Sequence, residues 1–175
     1  MPGSGKSTLG ENLSKALGVN FHDLDHLIEA KTGQPIKELF RQNGEEWFRQ
    51  TERAALESYI SSFAAGQMSL LALGGGTPCF FDNMELINQS GISVFLDTPL
   101  EVIRQRMMSD EEMIKRPLMA GVGAEGIAEE LQRKYEQRVP FYSMAHLKIK
   151  GDESLTSISS LIKSLIDPSE RKPDR

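Results

Sequence analysis

Leu9, Leu13, Ala16 and Leu17 recur at helical spacing and Gly18 follows them, which predicts a helix over residues 6–17 closed by a glycine just past its end. Short aliphatic runs at 20–24, 67–73, 92–96 and 147–150 predict strands, the second of them buried. Between and after them, amphipathic spacing predicts helices over 35–40, with Pro35 in the first turn, and over 45–63, 82–88, 100–108 and 155–166. Strands alternating with helices predict an α/β fold, a parallel sheet with helices on both faces in three layers. Residues 109–125 mix charges with Pro117, Gly121 and Gly123, the composition of a mobile loop or lid, and a long helix is expected after it. Residues 168–175 are expected to be a solvated tail, and no internal repeat or second domain is visible, so a single domain over 1–175 is expected.

Composition narrows the function. At 175 residues the chain can bury one sizeable core, and its 39% hydrophobic and 26% charged residues are ordinary for a globular protein. No apolar run is long enough to span a bilayer and no basic segment precedes an apolar one at the start, so a cytoplasmic protein is expected. Cys79 is the only cysteine, which leaves no intrachain disulfide and argues against a structural zinc site. A net charge of −5 disfavours nucleic acid as a partner, since phosphate neutralisation needs concentrated Lys and Arg. A local basic site for a small anion is the reading that remains.

The strongest chemical signal is Gly3-Ser4-Gly5-Lys6-Ser7-Thr8 running directly into the first helix. It matches the end of the P-loop pattern, in which backbone N–H groups and a helix N-terminus cradle phosphates, the lysine (Lys6) reaches the β- and γ-phosphates of ATP and the hydroxyl (Ser7) ligates Mg²⁺. The full pattern opens with a glycine one position ahead of Met1, and the strand that delivers the loop is missing from the chain. In a doubly wound sheet that strand is central, so its neighbours are expected to be left unpaired and the apolar face of the first helix poorly covered. The expectation that follows is a start set downstream of the true one.

Asp23 and Asp25 lie at the end of the 20–24 strand, where residues two apart point to the same side, placed to hold Mg²⁺ or to meet an acceptor hydroxyl. Asp is also a common helix N-cap, and both readings stand. Gly74-Gly75-Gly76 follows the 67–73 strand and implies either a substrate close to the backbone or a tight turn. His22 and His26 have helical spacing, but the strand-to-helix break between them spoils a metal site. Trp47 and Phe48 are expected in the core.

Taken together, the P-loop with Asp23-x-Asp25, Gly44-Glu45-x-x-Phe48-Arg49-x-x-Glu52, Gly74-Gly75-Gly76, Arg116-Pro117-Leu118 and Arg138-x-Pro140-x-Tyr142 resemble shikimate kinase in identity, order and spacing over nearly the whole chain. The resemblance implies five parallel strands in the order 2-3-1-4-5, ATP and Mg²⁺ as cofactors, and shikimate as the small-molecule partner, phosphorylated on its 3-hydroxyl. Lys6, Asp25 and Arg116 are then the catalytic candidates, and the resemblance implies that Arg116 closes from the lid onto the phosphates. The P-loop residues Gly3, Ser4, Gly5, Lys6, Ser7 and Thr8 bind the nucleotide with Arg116, Arg106 late in the 100–108 helix is placed to stack on adenine, and Ser7 and Asp23 are the metal candidates. By the same resemblance Arg49 and Arg138 grip the shikimate carboxylate, Asp25 meets its hydroxyls, Gly74, Gly75 and Gly76 line the pocket, and Glu52 supports Arg49. A monomer is expected. Read from the residues alone, Arg49 could equally be a solvated helix position, Arg138 a cationic last helical turn, and Arg106 a surface residue. The rival readings are another small-metabolite P-loop kinase, for gluconate or a nucleoside monophosphate, and a nucleotide-binding protein without turnover.

Overall fold

The computed structural model describes residues 1–64, 67–108, 124–151 and 153–166. In chain order the elements are α1 (Lys6–Leu17), β1 (Asn20–Asp23), α2 (Leu24–Thr32), α3 (Ile36–Ser61), β2 (Ser69–Ala72), a 3₁₀ turn (Thr77–Cys79), α4 (Asn83–Ser90), β3 (Val94–Asp97), α5 (Leu100–Met107), α6 (Ala124–Tyr142), β4 (Leu147–Lys150) and α7 (Leu155–Ile166). The expected α/β alternation is present. Residues 109–123 of the expected lid, Arg116 among them, and the tail 168–175 lie outside the described residues.

Local chemistry accounts for the boundaries. α1 closes where Gly18 adopts φ 70° and its N–H donates to the Ser14 carbonyl. The two helices expected at 35–40 and 45–63 form one run, α3, whose backbone leaves helical geometry only at Gly44 (φ 81°, ψ 176°). The first strand stops at Asp23, one residue earlier than expected, because Asp23 caps α2.

β1 pairs with β2 and β3 with β4, both in parallel, with Asn20 opposite Ser69 and Val94 opposite Leu147. Among the described residues the two pairs do not join. Alternating side chains of the inner strands serve different layers. Leu70 and Leu96 pack with Leu13 of α1 and with Ile158 and Ile162 of α7, whereas Leu71 packs with Leu56 and Phe48 of α3, and Phe95 packs with Ile103 of α5 and Leu131 of α6. Between β2 and β3 lies an apolar cavity of about 690 Å³, lined by Ser69, Leu71, Val94, Leu96, Leu13 and Tyr59 among others. Each described strand has one partner, and β2 and β3 face each other across this cavity. The 67–73 segment is correspondingly less buried than expected, with only Ala72 of β2 fully enclosed. Met1 is buried at the α5 and α6 side of this sheet.

Candidate active site

The P-loop enters α1 through two glycines in the left-handed region, Gly3 (φ 72°) and Gly5 (φ 95°), a conformation side chains resist. Two outside donors tie the loop to the β3 and α5 region: Thr98 Oγ1 donates to the Ser4 carbonyl at 2.9 Å, and Arg106 Nη1 donates to the Gly3 carbonyl at 3.2 Å. Arg106 thus lies against the loop backbone. Lys6 Nζ donates to the Met1 carbonyl at 2.7 Å, while Ser7 and Thr8 stand exposed at the helix start.

Ser7 and Asp23 meet, Ser7 Oγ donating to Asp23 Oδ2 at 2.9 Å. The expected geometry of the two aspartates needs correction. Asp23 Oδ1 accepts the backbone N–H of Asp25 at 3.0 Å, so Asp25 sits in the first turn of α2 rather than two places along a strand. The capping geometry, not the pleat of a strand, brings the carboxylates near each other, and the capping reading holds beside the functional one. Burial, and then the charges of Asp23 and Glu52, push the Asp25 carboxyl up to about 6, against the pull of Lys6.

Gly74, Gly75 and Gly76 have no positive φ. Their reason is space. A Cβ on Gly74 would lie 2.8 Å from Glu52 Oε1 and 3.2 Å from Asp25 Oδ1, one on Gly75 3.2 Å from Arg138 Nη1, and one on Gly76 2.7 Å from Arg49 Nη1. Side chains from α2, α3 and α6 therefore converge on one bare stretch of backbone. Tyr142 Oη closes it by donating to the Gly75 carbonyl at 2.5 Å, and burial raises the Tyr142 hydroxyl to about 12.

Arg49 is no solvated helix position, being only 9% exposed. Its guanidinium carbon stands 4.3 Å from the Phe80 ring centroid. Nη1 donates to Glu52 Oε2 at 2.8 Å, and Nη2 donates to Glu45 Oε1 at 3.0 Å. Phe48 is core as expected, but Trp47 is 38% exposed, because the buried stripe of α3 runs through Phe48, Arg49, Glu52 and Leu56. Arg138 lies late in α6, at the Gly75 backbone. Reasoning from sequence did not single out Thr77, Phe80, Asn83 or Thr98. Each is an ordinary residue in a turn, a helix or, for Thr98, the link between β3 and α5, and nothing in its spacing marks it.

A sequence model of the shikimate kinase family matches residues 2–167. The chain belongs to the shikimate kinase family. Shikimate kinase of Parabacteroides distasonis is 36% identical over 156 residues, covering 88% of this chain and 86% of the relative. That of Phocaeicola vulgatus is 38% identical over 151 residues, covering 86% and 83%. Among solved structures, shikimate kinase from Bacteroides thetaiotaomicron superposes with a TM-score of 0.82 at 32% identity, covering 94% of this chain and 93% of the other. The Acinetobacter baumannii enzyme, solved in complex with shikimate, superposes with a TM-score of 0.79 at 35% identity, covering 97% and 90%. Membership of the shikimate kinase family makes this an ATP-dependent phosphotransferase of the P-loop kinase fold and sets aside the reading without turnover. Among the described residues no helix is long and apolar enough to cross a membrane.

Proposed function

We infer that this chain is a shikimate kinase, transferring the γ-phosphate of ATP to the 3-hydroxyl of shikimate as a monomeric, single-domain cytoplasmic enzyme. The observation that carries the substrate is the meeting of Asp25, Arg49 and Arg138 at the Gly74–Gly76 backbone, within electrostatic reach of Lys6 of the P-loop. Shikimate is a carboxylate that also carries hydroxyls. Arg49 and Arg138 supply guanidinium forks for the carboxylate. Asp25 supplies the matching group for the hydroxyl.

In the transfer, Asp25 accepts the proton of the 3-hydroxyl, the oxygen forms a bond to the γ-phosphorus, and the bond to the β–γ bridging oxygen breaks to release ADP. A carboxyl raised to about 6 suits this role, since it is ionised at neutral pH yet basic enough to take a proton. Lys6 and Arg116 neutralise charge on the transferring group, and the N–H groups of Gly3 to Thr8 hold the phosphates, with Arg106 steadying the loop from outside. Ser7 and Asp23 offer a hydroxyl and a carboxylate oxygen side by side, hard donors that fit Mg²⁺, a cation that takes its other ligands from phosphates and water. There the ion would neutralise β- and γ-oxygens.

A coupled assay of ADP release tests the inference. Turnover with shikimate is expected, and none above background with gluconate or nucleoside monophosphates. Equal rates on gluconate, or no dependence on shikimate, would refute it.

A further inference from the structure

The carboxylate of Glu52 is only 1% exposed and is held from two sides. Oε2 accepts from Arg49 at 2.8 Å, and Oε1 accepts from Thr77 Oγ1 at 2.6 Å. Thr77 is fully buried, and its carbonyl accepts from Asn83 Nδ2 at 2.7 Å. Asn83, also fully buried, turns its Oδ1 to Arg53 Nη1 at 2.9 Å. Arg53 stands one helical turn beyond Arg49 on α3, and is itself held by Glu57 Oε1 at 2.7 Å and Asp82 Oδ1 at 2.5 Å. The contacts form a ring that leaves α3 at Glu52, crosses the 3₁₀ turn to α4 and returns to α3 at Arg53.

Such a ring has a directional consequence. An isolated Glu52 could rotate and carry Arg49 with it, because the other polar partner of Arg49, Glu45, has a side chain 61% exposed and holds it loosely. The Thr77 hydroxyl removes that freedom, and Asn83 fixes the backbone of Thr77. A buried, fully satisfied polar network of this kind defines one geometry. No buried side-chain polar atom among the described residues lacks a partner, so losing any member of the ring leaves another orphaned.

We infer that Thr77 and Asn83, steadied by Arg53, are positioning residues that set the angle of the Arg49 guanidinium through Glu52 and thereby the affinity for the acceptor carboxylate. They touch neither substrate nor nucleotide in this scheme. The inference rests on Arg49 gripping the shikimate carboxylate, as proposed above.

The test compares steady-state kinetics of Thr77→Val, which keeps the shape and removes the hydroxyl, with Thr77→Ser, which restores the donor. Thr77→Val is expected to raise KM for shikimate about five- to twentyfold, the range for loosening a hydrogen bond to a charged group, with KM for ATP and kcat within about twofold. Thr77→Ser is expected to return KM for shikimate to within about threefold of the parent. Asn83→Leu should follow Thr77→Val. Arg53→Met, at the partly buried end of the ring, should give a two- to threefold rise and decides the matter if the buried variants do not fold. A loss of thermal stability in these variants with KM for shikimate unchanged makes the ring merely structural and overturns the inference. Arg49→Met separates the two claims. If it leaves KM for shikimate unchanged, the carboxylate assignment fails and the inference with it; if it raises KM while Thr77→Val and Arg53→Met do not, the inference alone fails.

Discussion

Replacing Asp25 with Asn should make this enzyme more stable and nearly inactive at once. The Asp25 carboxyl is raised from an ordinary 3.8 to about 6, by burial first and then by Asp23 and Glu52. The folded state therefore holds the Asp25 proton more tightly than the unfolded state. Stability from this group is complete below about pH 4 and is lost as pH rises through about 6. A shift of about two units corresponds to a ceiling of about 3 kcal/mol. Partial solvent access to the site cuts this to about 1–2 kcal/mol. Asn cannot ionise, so Asp25→Asn should unfold at higher urea, by about 1–2 kcal/mol at pH 7.5, with the advantage shrinking toward zero as pH approaches 4. In the same preparations kcat should fall by about 10²–10⁴, the contribution of a positioned base. The parent kcat/KM should fall below about pH 6, as Asp25 takes up its proton. A variant no more stable than the parent at pH 7.5, or stabilised equally at pH 4.5 and 7.5, would show that Asp25 is not a desolvated carboxylate and refute the reasoning.

Gly76→Ala places a methyl group 2.7 Å from Arg49 Nη1 and must displace the guanidinium, so KM for shikimate should rise at least tenfold with KM for ATP unchanged; an unaltered KM would remove Arg49 from the acceptor site. Arg138→Lys keeps the charge and loses the planar fork, and acceptor affinity should fall roughly ten- to hundredfold by isothermal titration while nucleotide affinity holds. A loss confined to ATP would move Arg138 to the nucleotide side. The apolar cavity of about 690 Å³ between β2 and β3 should bind the dye ANS; no dye binding would mean the cavity closes in solution.

Much of this molecule is legible without coordinates, because helices and strands with one buried face write their period into the sequence. α1, β4 and α7 fall at the residues that periodicity assigns them, each bounded by a local signal such as Gly18. The P-loop is equally local, since its glycines, lysine and hydroxyl act within one turn of chain. Spacing carries β1 one residue too far, because capping by Asp23 competes with the strand and sequence spacing does not say which wins. Spacing alone does not separate Trp47 from Phe48, as helix rotation is set by what packs against it.

The acceptor site belongs to the tertiary structure. Arg49, Arg138, Asp25 and Gly76 are far apart along the chain, and their roles came from a family resemblance, while their common meeting place at the Gly74–Gly76 backbone is a fact of packing. The buried ring through Glu52, Thr77, Asn83 and Arg53 carries no periodicity or motif at all. Sequence determined which segments form and where phosphate chemistry sits, because those depend on neighbours a few residues apart. Tertiary structure alone decided which charges are desolvated and which polar groups hold one another, because both depend on elements that meet only when the helices close over the sheet.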